Sequence, residues 1–123
     1  MTLSKVIQKS HFLVINLDVE MINDTKTLDM DGIVTGLKDE YNNSYPVFGD
    51  SRYVLDAEIK DYISKNPSLR ERWRYGNKAR IVICTSELPI DKSELFVFNV
   101  AVYHSSGVTL TDLKFKKSDI IKE

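Results

Sequence analysis

Cysteine is nearly missing from this chain: Cys84 is the only one in 123 residues. No intrachain disulfide can form, and a reducing, cytoplasmic compartment is the expectation. The histidines are two, His11 and His104, and with one cysteine they provide no zinc set. The five glycines, at positions 32, 36, 49, 76 and 107, stand apart, so there is no glycine-rich phosphate loop. Repeats, linkers and low-complexity segments are lacking too. Near the start, Lys5 and Lys9 precede the apolar run Phe12-Leu13-Val14-Ile15, which Asn16 and Asp18 cut short. We expect neither a signal peptide nor a membrane span.

What is present is ordinary for a globular protein: 42% hydrophobic and 28% charged residues, with a net charge of −1. The length suits one domain over residues 1–123, with room for a core. The charge is unevenly spread. Residues 1–63 carry 6 Lys/Arg against 11 Asp/Glu, a balance of −5, and residues 64–123 carry 11 against 7, a balance of +4. A dipolar chain of this kind suits binding through one face, either to a polyanion or to a complementary protein surface.

Hydrophobic periodicity predicts an α+β fold, an antiparallel or mixed sheet of about five strands backed by two helices. Leu13, Ile15, Leu17, Val19 and Met21 alternate with Asn16, Asp18 and Glu20, which reads as a strand with one wet face. Ile33 to Thr35 reads as a second strand, followed by a long loop from Lys38 to Ser51 that carries Tyr41, Tyr45 and Phe48, aromatics that either tuck into the core or serve a functional loop. Arg52 to Lys65 fits two periods. As a helix it places Leu55, Ile59, Tyr62 and Ile63 on one stripe, with Ser51 as N-cap and Asn66-Pro67 as its end. As a strand it turns Tyr53, Leu55, Ala57 and Ile59 inward. The helix is the expectation, because the stripe persists to Ile63. A second helix is expected over Ser68 to Tyr75, ending at Gly76. Strands follow at Ala79–Thr85, Leu95–Tyr103 and Val108–Phe115, the last two joined across Ser105-Ser106-Gly107.

The chemistry concentrates in Arg70-Glu71-Arg72-Trp73-Arg74-Tyr75-Gly76-Asn77-Lys78-Ala79-Arg80. Arg70, Arg72, Arg74, Lys78 and Arg80 supply forked and point-charge donors for phosphate, and Trp73 and Tyr75 supply planes for a flat ring. On a helix, Arg70 and Arg74 share a face beside Trp73. The same residues also suit a protein interface, where Trp, Tyr and Arg dominate, or a solvated face with Trp73 as anchor.

A second pattern is Asp31 followed by Glu58-Ile59-Lys60. It resembles the metal-binding signature of PD-(D/E)XK nucleases. The resemblance implies that Asp31 and Glu58 hold a divalent metal such as Mg²⁺ while Lys60 assists the attacking water, as catalytic residues. It requires Glu58 on a strand, with a short helix near Ser4–Lys9 before the sheet. The expectation for the chain is nonetheless a non-catalytic binding module without a cofactor, its partner a nucleic acid or nucleotide. The alternatives are the Mg²⁺-dependent nuclease, or a small inhibitor or adaptor acting by protein contact through Trp73, Tyr41, Tyr45 and Phe48. The strands Leu95–Tyr103 and Val108–Phe115 also have the character of edges that pair between copies, giving a homo-oligomer.

Overall fold

The computed structural model describes residues 2–20, 32–65, 78–104 and 107–123. Its strands are β1 (Thr2–Gln8), β2 (Leu13–Glu20), β3 (Gly32–Asp39), β4 (Ser44–Tyr45), β5 (Val47–Phe48), β6 (Lys78–Thr85), β7 (Leu95–His104), β8 (Gly107–Lys116) and β9 (Ile120–Lys122). One α-helix, α1 (Ala57–Ser64), lies between β5 and β6 in the chain. The strands make two sheets, ordered β5-β6-β2-β1-β9 and β4-β3-β7-β8. β1 and β9 run parallel; the other pairs are antiparallel. No helix among the described residues is long and apolar enough to cross a membrane.

The two sheets enclose the main core. Val6 of β1, Leu13, Ile15 and Leu17 of β2, and Ile81 and Ile83 of β6 pack with Leu37, Tyr45, Phe96, Phe98, Val100 and Phe115 from the smaller sheet. Phe96 and Phe115 face each other across the β7–β8 pair and stack at a centroid distance of 5.0 Å. Strand alternation explains the choice of residues: Phe96, Phe98 and Val100 point inward, and the residues between them do not.

The other face of the larger sheet carries a second cluster. Ile7, Val14 and Cys84 pack there with Phe12, Val54 and the helix residues Ile59 and Ile63. The order of layers is therefore helix, five-stranded sheet, four-stranded sheet. An eight-residue helix is marginal alone, so its persistence rests on this packing and on its cap. Asp56 is that cap: its Oδ1 accepts from Glu58 N at 3.0 Å and Ile59 N at 3.1 Å.

Several expectations change. The segment near Ser4–Lys9 is not a helix but most of β1, because Val6 and Ile7 bury on opposite faces of the sheet. β2 has no wet face over Leu13–Leu17, since Val14 is covered by the helix layer and Asn16 is buried. Among the described residues, nine strands in two sheets replace about five, and one of the two expected helices is present as α1. The expected helix at Ser68–Tyr75 lies outside the described residues. The expected loop from Lys38 to Ser51 contains the end of β3 and the short strands β4 and β5.

The helix after it starts later than predicted. Residues Ser51–Tyr53 form a 3₁₀ turn, and the α-helix begins only after Asp56. Leu55 is thereby left out of the apolar stripe and is 102% exposed, whereas Ile59 is 1% exposed. Truncating the two should separate them. Ile59→Ala should cost about 2–5 kcal/mol of unfolding free energy in urea titrations. Leu55→Ala should stay within about 0.5 kcal/mol of the parent.

Candidate functional site

The predicted cationic site divides at the start of β6. Arg70, Arg72, Trp73, Arg74 and Tyr75 lie outside the described residues, in the connection from α1 to β6. Lys78 opens β6, in register with Glu20 of β2, and Arg80 is in register with Asp18. Arg80 is engaged structurally. Its Nε donates to Asp18 Oδ1 at 2.8 Å and its Nη2 to Asp18 Oδ2 at 3.3 Å, with Ser4 Oγ at 3.3 Å as a further acceptor. The hydrogen bond from Arg80 holds the Asp18 carboxyl below its ordinary value. Opposite charges placed across antiparallel strands reinforce the pairing. Arg80 thus acts first as a strand-pairing residue.

The carboxylate–lysine pattern takes a different form from the one its resemblance implied. Asp31 lies outside the described residues, while Glu58 and Lys60 lie on α1. Two positions apart on a strand they would share a face; on a helix they do not. Glu58 instead approaches Ser10 Oγ at 3.4 Å and His11 Nδ1 at 3.5 Å. The strand-borne arrangement of that signature is absent at Glu58 and Lys60.

A cluster that the sequence reading passed over forms at this helix start. Ser10 and His11, in the turn between β1 and β2, meet Asp56 and Glu58. Ser10 Oγ is 2.9 Å from His11 Nδ1, and His11 Nε2 is 2.8 Å from Asp56 Oδ2. Asp56 is held below the usual carboxylate range, first by the Ile59 amide and further by His11. One carboxylate therefore caps the helix with one oxygen and grips the hairpin turn with the other. The order serine, histidine, aspartate resembles a nucleophile relay, but the side chains are largely solvent-exposed and the described contacts fasten α1 to the β1–β2 turn. No spacing rule finds it, because 45 residues separate His11 from Asp56.

Among the described residues the most heavily bonded carboxylate is Asp39, at the end of β3. It accepts from Tyr41 N and Asn43 N at 2.9 Å, Asn43 Nδ2 at 3.0 Å, Tyr45 OH at 2.8 Å and Ser93 Oγ at 2.6 Å. The turn it organises holds Asn42 at φ 64°, a conformation asparagine tolerates better than most residues. The next residue, Glu40, accepts from Glu94 N at 3.0 Å and Leu95 N at 2.7 Å. Together they tie the β3–β4 turn to the start of β7. Tyr45, a candidate contact residue in the sequence reading, is buried in the core here and unavailable to a partner. Tyr41 is exposed, with Lys92 Nζ 4.4 Å from its ring centroid.

Cys84 matches its reading as a small buried hydrophobe; burial pushes its thiol up to about 12. Among the described residues no group of three or more His, Cys, Asp and Glu side chains could hold a metal ion. No family model, curated protein or solved structure matches this chain.

Two outcomes test this assignment of roles. Burial alone would raise the pKa of Asp39, but hydrogen bonds from Ser93, Asn43 and Tyr45 outweigh it and depress the folded-state value. Its stabilisation is therefore full above the unfolded carboxyl pKa, about 4, and is lost as pH falls below that. Thermal melts should show Asp39→Ala lowering Tm at neutral pH and flattening the acid-side decline relative to the parent. For Cys84, a thiol reagent at about pH 8 should react slowly with the native protein and fully after unfolding in urea. Fast native labelling would contradict the buried placement.

Proposed function

We propose that this protein is a non-catalytic binding module for a phosphate-bearing partner, single-stranded nucleic acid or a nucleotide. The observation that carries the reading is the run Arg70–Arg80, with five cations, Trp73 and Tyr75 in eleven positions of a chain whose net charge is −1. Guanidinium groups fork onto phosphate oxygens, and an indole or phenol plane accepts a base by stacking.

Two features of the fold support this reading. The run begins in the connection that follows α1 and ends inside β6, where Lys78 and Arg80 stand on the strand next to β2. Several described groups with catalytic character also have structural work. Asp39 closes a turn, Asp56 caps a helix, Arg80 pairs strands and Cys84 is buried. With Arg80 tied to Asp18, the binding contribution falls chiefly on Arg70, Arg72, Trp73, Arg74 and Tyr75, with Lys78 at the strand entrance.

Binding should be read by fluorescence anisotropy with labelled single-stranded DNA and RNA across a salt series. Arg72→Ala with Arg74→Ala should weaken binding and reduce the salt slope by about 1.4, from about 0.7 per lost phosphate contact on a single strand. Trp73→Ala should weaken binding by about 1–3 kcal/mol with the slope unchanged. No affinity at low salt, or a slope unmoved by the arginine pair, would remove the proposal. Strand shortening in the presence of Mg²⁺, abolished by Glu58→Gln, would replace it with the nuclease.

A further inference from the structure

β8 closes the four-stranded sheet on one side, and among the described residues no strand pairs with its outer edge. The strand is ten residues long, free of proline, and runs opposite β7 from Leu95↔Lys116 to His104↔Gly107 without a register shift. Neither a bulge nor a proline blunts this edge, so its backbone groups offer a straight template. The sheet face turned away from the core carries Val108, Leu110, Asp112, Lys114 and Lys116 along β8, all exposed. Leu110 is 77% exposed, and its register neighbours on that face are Ala101 of β7 and then Val34 of β3, itself 58% exposed. Tyr103 and Val108, opposite each other, extend the patch. An apolar area beside an open strand edge marks an interaction surface.

The charges on β8 indicate what fits there. A second copy running antiparallel must place outward residues opposite outward residues, so the pairing is symmetric about one residue of the strand. Symmetry about Asp112 sets Asp112 against itself; symmetry about Lys114 pairs Asp112 with Lys116, but it sets Lys114 against itself and needs the Lys116 amide, which Asp119 already engages. Symmetry about Thr111 or Leu110 puts Asp112 opposite an apolar side chain, and symmetry about Phe115 opposes Lys114 and Lys116. Symmetry about Leu113 alone places Asp112 of each copy opposite Lys114 of the other. It also sets Leu110 beside Lys116 of the second copy, whose methylene stem covers apolar surface while its head stays in water. The ladder ends naturally at Lys116, whose amide already donates to Asp119 Oδ2 at 2.9 Å.

We propose that β8 pairs antiparallel with β8 of a second copy of this chain, centred on Leu113, so that the two four-stranded sheets join into one continuous sheet through a two-fold interface. The Asp112–Lys114 pairs select the register, and the neighbouring apolar face adds burial. The contact is isologous, so it uses both copies of the β8 edge and closes at the dimer.

Sedimentation velocity on the full chain over a wide concentration range tests this. The parent should show a monomer–dimer equilibrium. Asp112→Lys and Lys114→Asp, each alone, should weaken the dimer by about tenfold or more, because each reversal places like charges opposite one another twice. The double exchange, Asp112→Lys with Lys114→Asp, should restore it. Asp112 also accepts from Asn99 Nδ2 at 2.7 Å, and the double variant loses that bond as the single one does, so its recovery isolates the charge pairing. Circular dichroism on each variant reports folding, and Lys114→Asp alters an exposed side chain alone. A parent that stays monomeric, a dimer indifferent to either reversal, or an exchange that fails to restore association would each overturn the proposal.

Discussion

Strand β2 has both faces covered, and the arrangement of the other elements depends on that. Leu13, Ile15 and Leu17 enter the core between the sheets, while Val14 enters the cluster beneath α1. Apolar residues at consecutive positions cannot be satisfied by one sheet with a wet back, because a strand sends neighbours to opposite sides. A layer is therefore needed on each side. The smaller sheet supplies one through Phe96, Phe98 and Val100, and α1 supplies the other through Ile59 and Ile63. β1 and β6 flank β2 and repeat its two-sided burial at Val6 with Ile7 and at Ile83 with Cys84.

Around this apolar frame, polar contacts between distant residues hold the periphery in place. Asp39 and Glu40 secure the β3–β4 turn against the start of β7, and Asp56 secures the helix against the β1–β2 turn through His11. Thr85, fully buried at the end of β6, accepts from Leu13 N at 2.8 Å and donates to Glu87 O at 2.7 Å. Lys9 pairs with Glu123 where β9 joins β1. In each case a side chain with chemical potential closes a turn, caps a helix or completes a strand. The cationic run Arg70–Arg74 and the outer edge of β8 are where binding is proposed instead.

Some of this was legible in the residues. The strands at β2, β6, β7 and β8 are long, β-branched or aromatic, and their alternation is strong enough to place them within a residue or two. The helix at Ile59 and Ile63 was legible from its stripe, but its start was not. Ser51 and Asp56 are both good caps, and Leu55 could have belonged to either period. Asp56 is the cap that the fold uses, and Val54 before it packs in the cluster with Ile59 and Ile63. Tyr45 shows the same limit at the level of the site. From the sequence it suits either the core or a contact surface, and Asp39 and Ser93, which bond its hydroxyl inside the fold, decide for the core. Arg80 reads as part of a cationic surface until the register of β2 and β6 sets Asp18 beside it.

By itself the sequence determined the α+β character, the strong central strands, a free cysteine inside an apolar run and the existence of one concentrated cationic-aromatic run. Those follow from composition and from periodicities of two and 3.6, which act over a few neighbouring residues. Only the tertiary structure decided that the strands divide into two sheets, that β2 is covered twice, and which carboxylates have structural work. Strand order and the partners of Asp39, Asp56 and Asp18 depend on contacts between residues tens of positions apart. Such contacts form only once the two sheets and the helix compete for the same apolar surface, and no local pattern records the outcome.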